Sequence, residues 1–323
     1  MTSDFPNGIT SYGMPILGNG IPATFGKIWF VDYDNGSDDN DGASMRSAMK
    51  TVTAVVANKI VSDRHDLVVL SANATHVLSA MLDLSSVNRT HFVGLDGRMG
   101  YGLGARTRLS LTVATGATNI ATMKNLGVGN TFDGIKFMNA NTVAEGLYAV
   151  AEGGEYTVYN RCEFYKSTDL DETAAAEVLN NGDSVQWINC VFGSSANIIA
   201  DNKIRPNMLV TATLSGKKCR DNIISNCIFL SKSAGTEHVD IYGANATDIE
   251  RMFLVKDSLF YSNILGAATP AHAVGFGAAQ TEGAVILKNC TSVDHTVMAQ
   301  AAMSIYVDGA VPTFATTGVA VAA

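Results

Sequence analysis

Four of the five cysteines stand in closely similar surroundings. Cys162 lies in "YTVYNRCEF", Cys190 in "SVQWINCVF", Cys227 in "DNIISNCIF" and Cys290 in "AVILKNCTS". Two further segments, "NTFDGIKF" and "FLVKDSLF", fit the same frame with Ile135 and Ser258 in the cysteine slot. The slots follow one another at steps of 27, 28, 37, 31 and 32 residues. Self-similarity at such a period marks a repeat architecture, in which each unit buries its apolar face only against its neighbours.

The pattern inside the frame indicates which architecture. Three residues before the slot stand Phe132, Tyr159, Trp187, Ile224, Val255 and Leu287. Two residues after it stand Phe137, Phe164, Phe192, Phe229 and Phe260, with Ser292 as the exception. Strand alternation would keep these positions on one parity, yet it slips by one residue just before the slot. The residue there is Gly134, Asn189, Asn226, Asp257 or Asn289, with Arg161 as the departure. Gly, Asn and Asp tolerate the left-handed conformation, and one such residue turns the chain and resets its inward face. Each repeat therefore reads as strand, one-residue bend, strand and a return of about 20 residues, one coil of a parallel β-solenoid. The fold class is all-β. Cys162, Cys190, Cys227 and Cys290 are expected in an interior column as small buried side chains. Asn189, Asn226 and Asn289 are expected in a ladder at the bend.

Composition excludes several functions. Apolar residues make up 47 % and charged residues 16 %, enough for a large core. The net charge of −8, without any Lys/Arg cluster, argues against nucleic acid as a partner. No apolar run approaches the ~20 residues of a membrane span. The first residues show no secretory pattern, so synthesis in a cytoplasm and reduced cysteines are expected. No Cys/His spacing fits zinc. The Gly-rich "GLDGRMGYGLGARTR" lacks the end of a phosphate loop, and no cofactor is expected.

Upstream of the repeats, strands are predicted at Leu67–Leu70, around His91–Leu95 and in "TRLSLTVATG", with a short helix in "TVTAVVANKI" that would cap the solenoid. Before it lies "VDYDNGSDDNDG". Read as a calcium loop, it places Ser37, Asp39, Asp41 and Gly42 at positions 1, 3, 5 and 6, and Ala48 where the bidentate Glu belongs. The loop is read as a turn, with Asp39 and Asp41 the candidates for any cation.

The stretch "KIWFVDYDNGSDDNDGASMRSAMKTVTAVV" resembles the N-terminal segment of many pectate-lyase-like right-handed parallel β-helix proteins. Val31, Asp32, Asn35, Gly36, Asp38, Asp41, Gly42, Ser44, Ala48, Lys50 and Thr51 match its pattern, and Met45 stands where proline is usual. The opening "FPNGITSYGMPILGNG" is similar to β-helical structural proteins of tailed bacteriophages. The resemblance implies a right-handed parallel β-helix over residues 67–300, preceded by an N-terminal strand, turn and cap helix (27–66). Extended arms would flank these at 1–26 and 301–323. It also implies a homotrimer in the virion, made in the host bacterial cytoplasm and binding the major capsid protein or another virion protein through residues 1–26. Capsid decoration, as cement or spike, comes first. A tailspike that binds or cleaves a host glycan is the alternative. Its paired carboxylates would come from Asp169, Asp171 and Glu172 or from Glu237 and Asp240, beside His238. No enzymatic activity is expected under the first reading, because fold alone supplies none.

Overall fold

The computed structural model describes residues 10–11, 14–15, 26–72, 74–95, 107–112, 120–140, 146–166, 175–194, 204–233, 235–262 and 269–308. Among them the chain winds as a right-handed parallel β-helix with three parallel sheets. The first sheet has ten strands, from Ile28–Val31 to Ile305–Val307. The second has eight, from Thr75–Leu78 to Thr291–Val293, and the third eight, from Leu82–Asp83 to Val297–Ala299. One coil shows the plan: Thr131–Asp133 in the first sheet, Lys136–Asn139 in the second, Tyr148–Glu152 in the third. The chain then returns to Val158–Asn160, directly above Thr131–Asp133.

The return segment of each repeat thus contains a third strand that the repeat frame did not announce. The strand Ile28–Val31 pairs with Leu67–Leu70 as the first rung of the stack, so the solenoid begins before residue 67. Most of residues 1–26, and residues 309–323, lie outside the described residues.

The bend between the first two sheets is left-handed on every repeat. Gly134, Arg161, Asn189, Asn226, Asp257 and Asn289 have φ of 67°, 53°, 54°, 54°, 51° and 50°. Arg161 adopts it although arginine has no intrinsic taste for this region, at a cost of roughly 1–2 kcal/mol. Its guanidinium Nε donates to Asp133 Oδ1 at 2.7 Å and its Nη2 meets Oδ2, one rung below. At the same corner Asn160 donates to Asp133, Asn189 to Asn160, and Asn226 to Asn189. Asn289 donates to Asp257.

The slip of parity at this bend sends two aromatic columns inward. Phe92, Phe132, Tyr159 and Trp187 stack in the first sheet with centroids 5.2, 4.8 and 4.3 Å apart. Phe137, Phe164, Phe192, Phe229 and Phe260 stack in the second at 5.6, 5.1, 4.7 and 4.8 Å. The columns meet edge to face, as between Phe137 and Tyr159. Each buried ring contributes about 1.5–3 kcal/mol from area alone. Between the columns lie Ile135, Cys162, Cys190, Cys227 and Ser258, all buried. The Cys190 N–H donates to Cys227 Sγ and the Cys227 N–H to Ser258 Oγ, so the slot is one interior column. Cys290, on the last full coil, is half-buried.

The N-terminal end is closed by the helix Val52–Asn58, with Val52 and Val55 in the core. Its N-cap Thr51 accepts the Ala54 N–H, and Asp38 accepts both the N–H and the hydroxyl of Thr51. Asp32 accepts the N–H groups of Asp34 and Asn35, and Asp41 that of Ala43. Asp32 and Asp41 thus close turns, and Asp38 braces the cap of the helix. Hydrogen bonds, from Ser47 first, lower the Asp41 carboxyl. Asp39 contributes its N–H to Ser37 Oγ. Among the described residues no group of three or more His, Cys, Asp or Glu is placed to hold a metal ion.

Candidate functional site

Along the edges of the coils, several carboxylates face cations of other rungs. Asp133 pairs with Arg161, Glu163 with Lys136, Asp183 with Arg220, Asp221 with Arg251 and Glu155 with Lys217. The exposed pairs Asp221–Arg251 and Glu155–Lys217 are worth about 0–1 kcal/mol each, whereas Asp133 and Asp183 are themselves buried. As a set, the pairs tie the edges of successive coils together.

The proposed carboxylate pair of the loop "GTEHVDIYG" does not assemble. Glu237 is exposed, and Thr236 beside it donates to its carboxylate. His238 and Asp240, of the opposite parity, are fully buried. Alternation along an extended segment separates them, because residues one apart in parity leave the chain on opposite sides. Asp169, Asp171 and Glu172 lie outside the described residues.

What the interior contains instead is a charged corner between the second and third sheets. Four residues after the slot, at inward parity, stand Asn139, Lys166, Ser231 and Ser262, each at most 1 % exposed. Opposite them the chain entering the third sheet supplies Glu177, Arg205, Asn207, His238 and Asp240. The Lys166 N–H donates to Glu177. Arg205 Nη2 donates to the Lys166 carbonyl at 3.2 Å and lies 3.7 Å from the Glu177 carboxylate, while Nη1 is buried without a hydrogen-bond acceptor. Burial pushes the Glu177 carboxyl up to about 7, against the pull of Arg205.

The corner continues upward through Asp240. His238 Nδ1 is 3.1 Å from the Arg205 carbonyl, and its Nε2 is 3.0 Å from Asp240 Oδ1. Asn207 donates to the same oxygen at 3.1 Å. On the other side His295 Nε2 lies 3.0 Å from Asp240 Oδ2, an ion-pair contact off the ring N–H axis. His295 Nδ1 is 3.0 Å from Ser292 Oγ. Burial works to raise the Asp240 carboxyl, but the two histidines outweigh it and hold it at about 2.

A second interior carboxyl sits between the third and first sheets. Glu152 accepts from the Tyr159 hydroxyl at 2.5 Å, Asn125 Nδ2 at 2.9 Å and the Gly154 N–H at 2.6 Å. Burial pushes it up to about 7 against these bonds. The sequence reading missed Lys166, Glu177 and Glu152. A signal for part of them was present, since the position four after each slot shares the Phe parity and is polar on every repeat.

With this geometry in view, the fold defines a class: the solved structures it matches are parallel β-helix proteins. The chain is similar to the pectate lyase Pel9A, with TM-score 0.53 and 13 % identity over 81 % of this chain. It spans 62 % of that lyase's length. A pectin methylesterase solved with a hexasaccharide matches with TM-score 0.52 and 12 % identity, covering 88 % of this chain and 91 % of that one. The pectin methylesterase of Aspergillus niger matches with TM-score 0.50 and 10 % identity, covering 91 % and 90 %. No family model matches the sequence, and no curated protein does. At these identities the likeness is one of fold, a fold compatible with an enzyme.

Proposed function

We propose that this chain is a structural component of a tailed-bacteriophage virion, a capsid decoration protein of cement or spike type that associates as a homotrimer. Two things support this reading. One is the resemblance of its N-terminal segments to β-helical phage proteins. The other, which carries it structurally, is the rung-to-rung pairing of carboxylates with Arg and Lys, from Asp133–Arg161 to Asp221–Arg251. Acids held this way stiffen a stack and are not poised for proton transfer. Residues 1–26 would contact the major capsid protein. The protein would be made in the host cytoplasm and mature on the virion surface.

The second reading is a tailspike that binds or cleaves a host polysaccharide. The fold likeness to pectin-acting proteins is compatible with it, but its carboxylate pair Glu237 and Asp240 is split between surface and interior. Quantitative peptide mass spectrometry on purified particles separates the two. Hundreds of copies per particle, scaling with the major capsid protein, are expected. A handful of copies together with depolymerisation of host glycan would overturn the decoration reading.

A further inference from the structure

The inward column of the second sheet carries phenylalanine on five successive rungs, and the sixth carries Ser292, paired in register with Phe260. It is half-buried and lies on the last rung of that sheet among the described residues. The hydroxyl therefore stands at the upper end of the aromatic stack, with Phe260 below it.

Two histidines and a carboxylate lie behind it. Both ring nitrogens of His238 face acceptors, the Arg205 carbonyl at 3.1 Å and Asp240 Oδ1 at 3.0 Å. His238 thus bridges the Arg205 carbonyl and Asp240 and holds the carboxylate in place from one side. His295 Nε2 lies 3.0 Å from Asp240 Oδ2, and in the tautomer with the proton on Nε2 the Nδ1 lone pair faces Ser292 Oγ at 3.0 Å. A hydroxyl within hydrogen-bond reach of an imidazole nitrogen, with a buried carboxylate behind the ring, is the arrangement that activates a serine. The His295–Asp240 contact is off the hydrogen-bond axis, and catalytic hydrogen bonds are often poorly aligned in the absence of substrate.

We infer that Ser292 is an activated nucleophile and His295 its general base, with Asp240 and His238 positioning the base, and that the site takes small carboxylic esters of the acetyl class. The acyl group must be small because Phe260 fills the interior directly beneath the hydroxyl. Ser292 Oγ would attack the ester carbonyl carbon while its proton passes to His295 Nδ1. The carbon–oxygen bond to the alcohol then breaks, and His295 returns the proton to the departing alcohol oxygen. Water, deprotonated by His295, next attacks the acyl-serine and releases the carboxylic acid and the free hydroxyl. The inference stands apart from the virion reading and does not depend on it.

The test uses the full chain, a fluorophosphonate probe with peptide mass mapping, and p-nitrophenyl acetate hydrolysis. The expected result is a single adduct on Ser292, with p-nitrophenol release falling at least about 100-fold in Ser292→Ala and in His295→Gln at an unchanged melting midpoint. No adduct on Ser292 at saturating probe, or undiminished hydrolysis in Ser292→Ala, overturns the proposal. Undiminished hydrolysis in a folded His295→Gln overturns the role of the base. Should His295→Gln fail to fold, Ser292→Ala decides alone, since it removes one oxygen from a half-buried position on the terminal rung.

Discussion

Glu152 makes stability depend on pH in a direction opposite to that of most carboxylates. In the unfolded chain its carboxyl ionises near 4.5, and in the folded chain burial pushes it up to about 7. Between these values the folded state keeps a proton that the unfolded state has released, so stability falls as pH rises. The contribution is fully present below 4.5 and lost above about 7, a swing of about 3 kcal/mol at 1.36 kcal/mol per pH unit. Glu152→Gln removes the swing and keeps the shape. Where Glu152 is protonated, the variant is expected to be less stable by about 1 kcal/mol, because its amide N–H groups meet the donors of Asn125 and Gly154. Well above 7 the difference reverses, and the variant is expected to be more stable by about 2 kcal/mol. Guanidinium unfolding of both proteins in parallel, from about pH 4 to about pH 8, reads the difference and cancels the other titrating groups, Glu177 included. A difference independent of pH, or a wild type that gains on the variant as pH rises, would refute the reasoning. Glu152 would then be an ionised carboxylate held by its donors, and burial would have been overrated.

Other consequences follow from the bends and columns. Asn189→Ala is expected to cost about 1–2 kcal/mol for the left-handed backbone plus the side-chain bonds of the ladder, whereas Asn189→Gly keeps the backbone and loses less; equal losses would show that φ is not the cause. Phe192→Ala, between Phe164 and Phe229, is expected to cost about 3–5 kcal/mol in denaturant unfolding. Burial raises the Cys190 and Cys290 thiols, but Cys290 is only half-buried, so a thiol reagent should modify Cys290 first and reach Cys162, Cys190, Cys219 and Cys227 only on unfolding. Mass mapping after a short exposure checks this. Asp38→Ala is expected to destabilise the cap helix by about 0.5–2 kcal/mol through loss of its bonds to Thr51, measured as faster amide exchange over Val52–Asn58.

The repeat frame carried most of the fold because a solenoid is nearly one-dimensional: each coil contacts its neighbours, so a local pattern repeated in sequence is repeated in space. The Phe positions, the slot and the bend residue could be read one repeat at a time. Arg161 shows the limit of that reading. As an isolated residue it looks wrong for a left-handed bend, and only Asp133 one rung below explains its place. The third sheet was illegible for a related reason. Its strands, such as Tyr148–Glu152 and Val178–Asn180, follow loops of unequal length, so no fixed offset from the slot announces them.

The sequence by itself determined the coil, its period, the inward columns and the bend, because these depend on residue size, parity and backbone tolerance within one repeat. Tertiary structure alone decided the chemistry of the interior. Asp240 and His295 are 55 residues apart in the chain and 3.0 Å apart in space, and Lys166 meets Arg205 across 39 residues. Whether a buried charge is neutralised, shared or left to raise a carboxyl toward 7 depends on which coil stacks on which. Variable loop lengths hide that pairing from any reading along the chain.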